Sequence, residues 1–242
     1  MNSETSTDTP TYPPSKTAYY LFPLAFAFIF TSLLYISSFE LPFFFDDLDH
    51  IPYITRTTLL EIWQSSGGFP YFRPLGATVW RLSYLFFGEH NASFLHALNV
   101  YTHAINAILV GLLSQQLFPS KKQSHIAAGI AAICFGVYPF SYQAVPWVGA
   151  YYHLLVTKLV LIALLCHGRY TTTGRTRWLI LSLTAATLAP FTHENGILIL
   201  PLIILVTLLT PSLQSKIQNL KSKIPWLFPP LIWLAIWLAA PK

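Results

Sequence analysis

The sequence predicts an all-α fold: a multi-pass transmembrane helical bundle of about seven spans, with interfacial helices in the first outer loop. Three observations carry this. Of 242 residues, 54% are hydrophobic and only 10% are charged, against roughly 25% charged in an ordinary soluble domain. The apolar residues fall in long runs. Short basic clusters separate those runs. Fourteen Lys+Arg and nine Asp+Glu, a formal net charge of +5, cannot clothe a globule of this size in water. That excludes a disordered chain and argues against a soluble enzyme. Basic residues confined to short clusters between apolar runs are no footprint for nucleic acid. Cys134 and Cys166 both lie inside apolar runs, so neither a disulfide framework nor a Cys metal motif is expected.

Residues 1–17 are rich in Ser, Thr and Pro and read as a disordered cytoplasmic tail. Residues 18–242 read as one membrane domain. A bilayer core of about 30 Å needs roughly 20 apolar residues in a straight helix. The first run, 18–39, meets that, and no A-x-A-like cleavage site follows it, so it reads as a retained signal anchor. Residues 40–91 form the outer loop. Further spans are expected over 93–118, 126–137, 151–167, 178–191, 196–209 and 225–240. A layout of five or six spans, with the short runs re-entrant, is the alternative. The runs 178–191 and 196–209 each extend about 21 Å at 1.5 Å per residue, too short to cross alone. The turn between them, residues 192–195, should therefore stop below the outer surface, where polar backbone is tolerated only if it lines a cavity or is buried in protein.

Charge gives the orientation. With the N-terminus in the cytoplasm, the inside segments hold nine basic residues: Lys16, Lys121, Lys122, Arg169, Arg175, Arg177, Lys216, Lys221 and Lys223. The outside holds three, Arg56, Arg73 and Arg81. Positive-inside bias sets topology. The acids do the reverse: Glu40, Asp46, Asp47, Asp49, Glu61, Glu89 and Glu194 fall outside, leaving Glu4 and Asp8 inside. Insertion does not require that split, so we attribute it to a working site on the outer face, with clustering in one loop as the plain alternative. The membrane is expected to be a bacterial inner membrane, or the endoplasmic reticulum in a eukaryote.

Within the outer loop, Ile51, Ile54, Thr58, Leu59, Ile62 and Trp63 recur at helical spacing and predict an amphipathic interfacial helix. Gly67, Gly68 and Pro70 break it. Pro74 suits the first turn of a second helix, which carries Val79, Trp80 and Tyr84 and stops near Gly88. Together they should roof the bundle. Ahead of them lies Phe43-Phe44-Phe45-Asp46-Asp47-Leu48-Asp49-His50. Like charges side by side and partial desolvation both raise a carboxylate pKa and make a better general base. Asp46 and Asp47 are thus catalytic candidates, although Asp residues also suit a helix N-terminus. Asp49 is expected to be a cap or solvated. Consecutive residues such as Asp46, Asp47 and His50 rarely converge on one ion, so no metal site is assigned.

In the second span, His96, Asn99, His103 and Asn106 fall within an arc of about 80° at 100° per residue. They should face the bundle, either as interhelical hydrogen-bonding groups or, for His96, as part of a site. Lys158, with His153 above it, is the basic residue deep inside a span. It could hold an anionic group or pair with Glu194. A recessed Glu194 near the roof acids would line the site.

These residues form an ordered set: the Asp46-Asp47 pair, then Tyr71-Phe72-Arg73-Pro74-Leu75, then His96-x-x-Asn99-x-x-x-His103. Pro139 and Pro146-Trp147 follow, and His193-Glu194-Asn195-Gly196 joins two short helices. Over roughly residues 20–210 the set resembles the C-type membrane glycosyltransferases, most of all the protein O-mannosyltransferase branch and its tetratricopeptide-bearing relatives. Two features depart from that pattern. His193 stands where the family often has Lys. Family members also commonly continue with further spans and a soluble domain, so the chain could be a truncated or split enzyme. The resemblance implies a polyprenyl-phosphate sugar donor, transfer on the exoplasmic face to a protein or glycan acceptor, and inversion at the anomeric carbon.

The residues suit that chemistry on their own terms. A phosphate leaving group needs no strong general acid, unlike the alkoxide lost in glycoside hydrolysis. One base for the acceptor hydroxyl is enough, and Asp46, then Asp47, is the candidate. Positive groups must meet the departing phosphate: Arg73, Arg81 and His193 from outside, with Lys158 from below. Glu194, His96 and His153 would line the site. The expected partners are the lipid-linked donor, membrane lipid and an acceptor, with no nucleic acid. The reading requires no divalent metal and leaves the cofactor open. Two other classes stand beside it: a non-catalytic scaffold of the same fold, and a small-solute transporter using Lys158 and Glu194. Transporters often show paired, similarly broken repeats, whereas only one short-helix hairpin is legible here.

Overall fold

The computed structural model describes residues 16–118, 121–209 and 225–239. The tail expected over 1–17 falls almost wholly outside these residues, as does the basic segment 210–224. Among the described residues the regular elements are all helical. Helix α1 (Lys16–Leu34) leads through a 3-10 turn (Ile36–Glu40) into three short helices, α2 (Asp47–Arg56), α3 (Leu59–Gln64) and α4 (Pro74–Phe87). Then come α5 (Ala92–Gln115), α6 (Lys121–Gly136), the single turn α7 (Ser141–Ala144) and α8 (Tyr151–Thr173). Helix α9 (Thr176–Leu188), α10 (Ile199–Leu209) and α11 (Phe228–Ala239) complete the chain. Among the described residues two helical stretches are long and apolar enough to cross a membrane, Ala92–Gln115 with 24 residues and Val148–Thr173 with 26. The stretches Phe22–Leu34, Gln123–Gly136, Glu194–Val206 and Pro225–Ala239 are apolar but shorter.

Helices α5 and α8 form the centre. Helix α5 packs against α1, α6 and α8, and α8 against α9. The α1–α5–α6 contacts are made by small side chains: Ala27, Ala104, Ala107, Ala128 and Ala132 are all buried. Close backbone approach through small residues is how helices associate when their surroundings are as apolar as their side chains. The outer surface agrees with such surroundings. Phe22, Ile29, Ile126, Ile130, Ile180, Leu205 and Leu238 are among many large apolar side chains left exposed, more than a water-facing surface tolerates.

The polar arc of α5 faces inward, as its spacing requires. His96, Asn99, His103 and Asn106 are all buried. Asn99 Nδ2 donates to the carbonyls of Val145 at 3.2 Å and Trp147 at 2.6 Å. Asn106 Nδ2 donates to the Leu154 carbonyl at 2.9 Å, and His103 Nε2 lies 3.2 Å from the Gly136 carbonyl. These bonds fasten the α6–α8 connection to α5. Helices α2, α3 and α4 cover one end of the bundle. Ile54, Ile62, Ala77 and Trp80 pack on Leu95, Val148, Tyr151 and Leu155. We call this the acidic end. The other end carries Arg169, Arg175 and Arg177.

Helix α6 begins earlier than expected, at Lys121, and α8 runs on to Thr173; three further differences have a local cause. The single amphipathic helix over 51–63 is two helices, because Thr58 is extended and starts α3 with a capping box. Its hydroxyl accepts from Glu61 N at 3.3 Å while Glu61 Oε2 accepts from Thr58 N at 2.7 Å. Helix α1 stops at Leu34, short of Phe39, and the chain tightens to 3-10. Helix α9 ends at Leu188 and also continues as a 3-10 turn, Ala189–Phe191, since Pro190 has no N–H to extend an α-helix. Helix α4 matches its expectation at both ends, with Pro74 in its first turn and Gly88 in the left-handed conformation at its C-terminus.

A candidate site at the acidic end

The non-helical segment 65–73 brings Tyr71 and Arg73, two residues apart, towards the end of α9. There Arg73 meets Glu194, 121 positions away in sequence. Its Nη2 donates to Glu194 Oε2 at 2.8 Å and its Nε lies 3.2 and 3.3 Å from the two carboxylate oxygens. The guanidinium also lies over the Tyr71 ring, 4.1 Å from its centroid. Burial alone would raise the Glu194 carboxyl. The Arg73 hydrogen bonds and charge outweigh it and hold the group below the usual glutamate range.

Local backbone makes this meeting possible. His193 is extended, and Glu194 opens the 3-10 turn Glu194–Leu198. Gly196 lies so close to the preceding turn that a Cβ would come within 2.4 Å of the Ala189 carbonyl carbon and the Pro190 nitrogen. The Asn195 N–H donates to His193 Nδ1 at 3.2 Å, which places the ring proton on Nε2. Burial, with Arg73 and His153 close by, pushes the His193 pKa well down. Neutral His193 lies against the His153 ring at a centroid distance of 4.2 Å, the two planes tilted by 41°.

From Arg73 the polar line continues to α2. The Tyr71 hydroxyl is hydrogen-bonded to His50 Nε2 at 2.5 Å. Burial pushes the Tyr71 phenol up to about 12 and depresses His50. Asp46 lies near enough to act on the charge of both. It precedes α2, is exposed, and makes no side-chain capping bond. The residue before it, Phe45, has φ 52, a left-handed conformation rare for a bulky side chain and one that stores strain.

Asp47 is placed quite differently. It is fully buried; its Oδ1 accepts from Gly149 N at 2.6 Å and its Oδ2 from Phe44 N at 3.2 Å. Burial nevertheless leaves its carboxyl raised. A Cβ at Gly149 would sit 3.0 Å from Asp47 Oδ1, so glycine admits the contact. The acidic pair therefore divides: Asp47 clamps the α7–α8 turn to the outer loop, and Asp46 faces outward.

The remaining expected residues scatter. Arg81 Nη1 donates to the carbonyls of Ile54 and Thr55 at 3.1 and 2.9 Å, where a cation suits the C-terminal end of α2. His96 is walled in beneath the loop, stacked on Phe44 at 6.5 Å. Glu194 pairs with Arg73 rather than with Lys158, which stays on α8 without a carboxylate partner among the described residues. The structure thus assembles Arg73, His153, His193 and Glu194, reaches Asp46 only through its charge on His50 and Tyr71, and leaves out Asp47, Arg81, His96 and Lys158. From sequence, His50 enters only as a metal ligand that is set aside, and Tyr71 only as a member of the Tyr71–Leu75 motif. The two-residue spacing of Tyr71 and Arg73 in a Gly- and Pro-flanked segment was the available sign. Beside the line is a crevice of about 20 Å³, touching His50, Tyr71, Arg73 and Tyr152. Among the described residues no group of three or more His, Cys, Asp or Glu is placed to hold a metal ion.

Comparison with known proteins gives one relative that bears on this geometry. The protein O-mannosyl-transferase TMTC1 of Mus musculus is 28% identical over 160 residues, which cover 61% of this chain and 16% of that protein. The chain therefore spans about a sixth of that relative's length. No family model matches the chain, and no solved structure matches it.

Proposed function

We propose that the chain is a glycosyltransferase-like membrane protein whose acidic end moves a sugar from a polyprenyl-phosphate donor to a hydroxyl acceptor. The likeness to an O-mannosyl-transferase supports the class. The observation that carries the reading is the meeting of Tyr71 and Arg73 with Glu194, from segments far apart in sequence, with the charge of Asp46 acting on Tyr71. In this reading Asp46 takes the acceptor hydroxyl proton as its oxygen bonds to the anomeric carbon. The bond from that carbon to the phosphate oxygen breaks, and the phosphate leaves with the electron pair. Attack opposite the leaving group inverts the centre. Arg73 meets the developing charge: Glu194 engages Nε and Nη2, while Nη1 carries two further N–H donors. The seven-span layout, with a cytoplasmic N-terminus and the acidic end outside, belongs to the same proposal.

A second reading is favoured by the narrowness of the crevice and by the neutralised guanidinium. It is a non-catalytic membrane scaffold of the same fold. The two separate on one experiment. Asp46→Asn keeps shape but cannot accept a proton, and loss of a general base costs about 10²–10⁴-fold. Transfer from polyprenyl-phosphate mannose by purified wild type, lost in Asp46→Asn with donor-dependent thermal protection retained, supports the enzyme. Absence of both transfer and protection in the wild type supports the scaffold.

A further inference from the structure

At the basic end, far from the site just described, α5, α6, α8 and α9 line a half-open cavity of about 620 Å³. That lies within the roughly 300–1,000 Å³ of small-molecule sites. Its wall is two-toned. Leu109 and Leu165 line the part towards mid-bundle, Trp178 lies at the start of α9, and Gln115, Ser124 and Arg169 bring polar groups to the end. Arg169 is exposed at that rim. Among the described residues it has no ion-pair partner, and the described carboxylates belong to the opposite end. Arg175 and Arg177 follow in the next turn, so the field there is positive.

An apolar trough closed at one end by an unneutralised guanidinium and amide groups fits an amphiphile with an anionic head. Basic pockets between helices at the cytoplasmic side of a membrane recognise such head groups. An indole beside it suits the depth where head group meets chain. We infer that this cavity takes one anionic phospholipid, its phosphate at Arg169 and Gln115 and an acyl chain along Leu109 and Leu165. The inference rests on the membrane topology proposed above and not on sugar transfer. Such a lipid would lie between α5 and α8, whose far ends carry His96 and His153.

The test uses the full chain in lipid nanodiscs and the fluorescence of Trp178. Seven tryptophans are present, so the signal is the difference between wild type and Trp178→Phe. Phosphatidylglycerol with brominated chains should quench it saturably, at a lower lipid fraction than brominated phosphatidylcholine. Arg169→Gln should weaken the phosphatidylglycerol preference about fivefold, the effect of one basic residue at an anionic surface. Leu165→Phe, or Leu109→Phe if the first does not fold, should abolish saturable quenching by filling the trough. Added inorganic phosphate should leave quenching unchanged. Equal quenching by the two lipids, an unchanged preference in Arg169→Gln, or displacement by inorganic phosphate would each overturn the assignment. Cross-linking of Cys166, in the cavity wall, to a lysine of segment 210–224, with no lipid quenching, would show that the chain fills the cavity itself. Cysteine labelling reports the topology separately, so its failure is distinguishable from failure of the lipid site.

Discussion

Arg73 stands where the proposed chemistry needs a cation, and it is already gripped by a carboxylate. Glu194 therefore reads as a positioning residue that fixes the plane of the guanidinium. Lys cannot reproduce a two-armed contact. Arg73→Lys should lower turnover more than donor affinity, and a double-mutant cycle with Glu194→Gln should give a coupling of about 1 kcal/mol in thermal or chemical unfolding. Independent effects of the two substitutions would remove Glu194 from that role. His193 supports a pH prediction. Burial keeps its folded pKa below the unfolded value of about 6.5. As pH falls below that value the unfolded chain takes up the proton and the folded chain does not, so stability declines. His50 acts in the same direction, and Glu194 adds to it only below the ordinary glutamate range. The melting temperature should drop between pH 7 and pH 5, and His193→Gln should flatten that drop.

At the scale of single elements, local chemistry decided most of what was legible in advance. Pro74 and Gly88 bracket α4 because one lacks a donor the first turn does not need and the other accepts a left-handed cap. The inward arc of α5 follows from the 100° period alone. The break between α2 and α3 was also written in the chain, as Thr58-x-x-Glu61, but apolar periodicity running through it masked the capping box. Thr58→Ala should cost about 1 kcal/mol, read as a lower unfolding midpoint, with protease nicking appearing first around 57–66. What periodicity could not supply was the fate of each acid. Asp46 and Asp47 are adjacent and chemically identical. Only the tertiary position of Gly149, 102 positions from Asp47, makes one a clamp and leaves the other free.

Across the whole molecule, the sequence marked the helical class and the segregation of charge between two ends, and the helices obey both. The Arg73–Glu194 contact was beyond reach, since nothing local relates residues so far apart; the resemblance named both motifs without joining them. The orientation proposal is open to direct measurement. After Cys134→Ser and Cys166→Ser, single cysteines placed in 119–125, 168–177 or 211–224 should react with an impermeant thiol reagent only from the cytoplasmic side. Cysteines in 65–70 should react only from the other side. The reverse pattern would place the acidic end in the cytoplasm and end the exoplasmic reading.

The long sequence separation of the Arg73–Glu194 pair also bears on how the chain is made. The 40–91 loop is synthesised well before the segment that carries Glu194 leaves the ribosome. During that interval Arg73 has no carboxylate to grip, and the 65–73 segment has no neighbour beyond its own roof. The Asp47–Gly149 clamp can close first, once α8 begins to enter; the guanidinium must wait for the α9–α10 hairpin. The acidic end is thus completed in two ordered steps, the second late in biogenesis. An arrested or truncated chain would leave the Arg73 guanidinium without the Glu194 carboxylate.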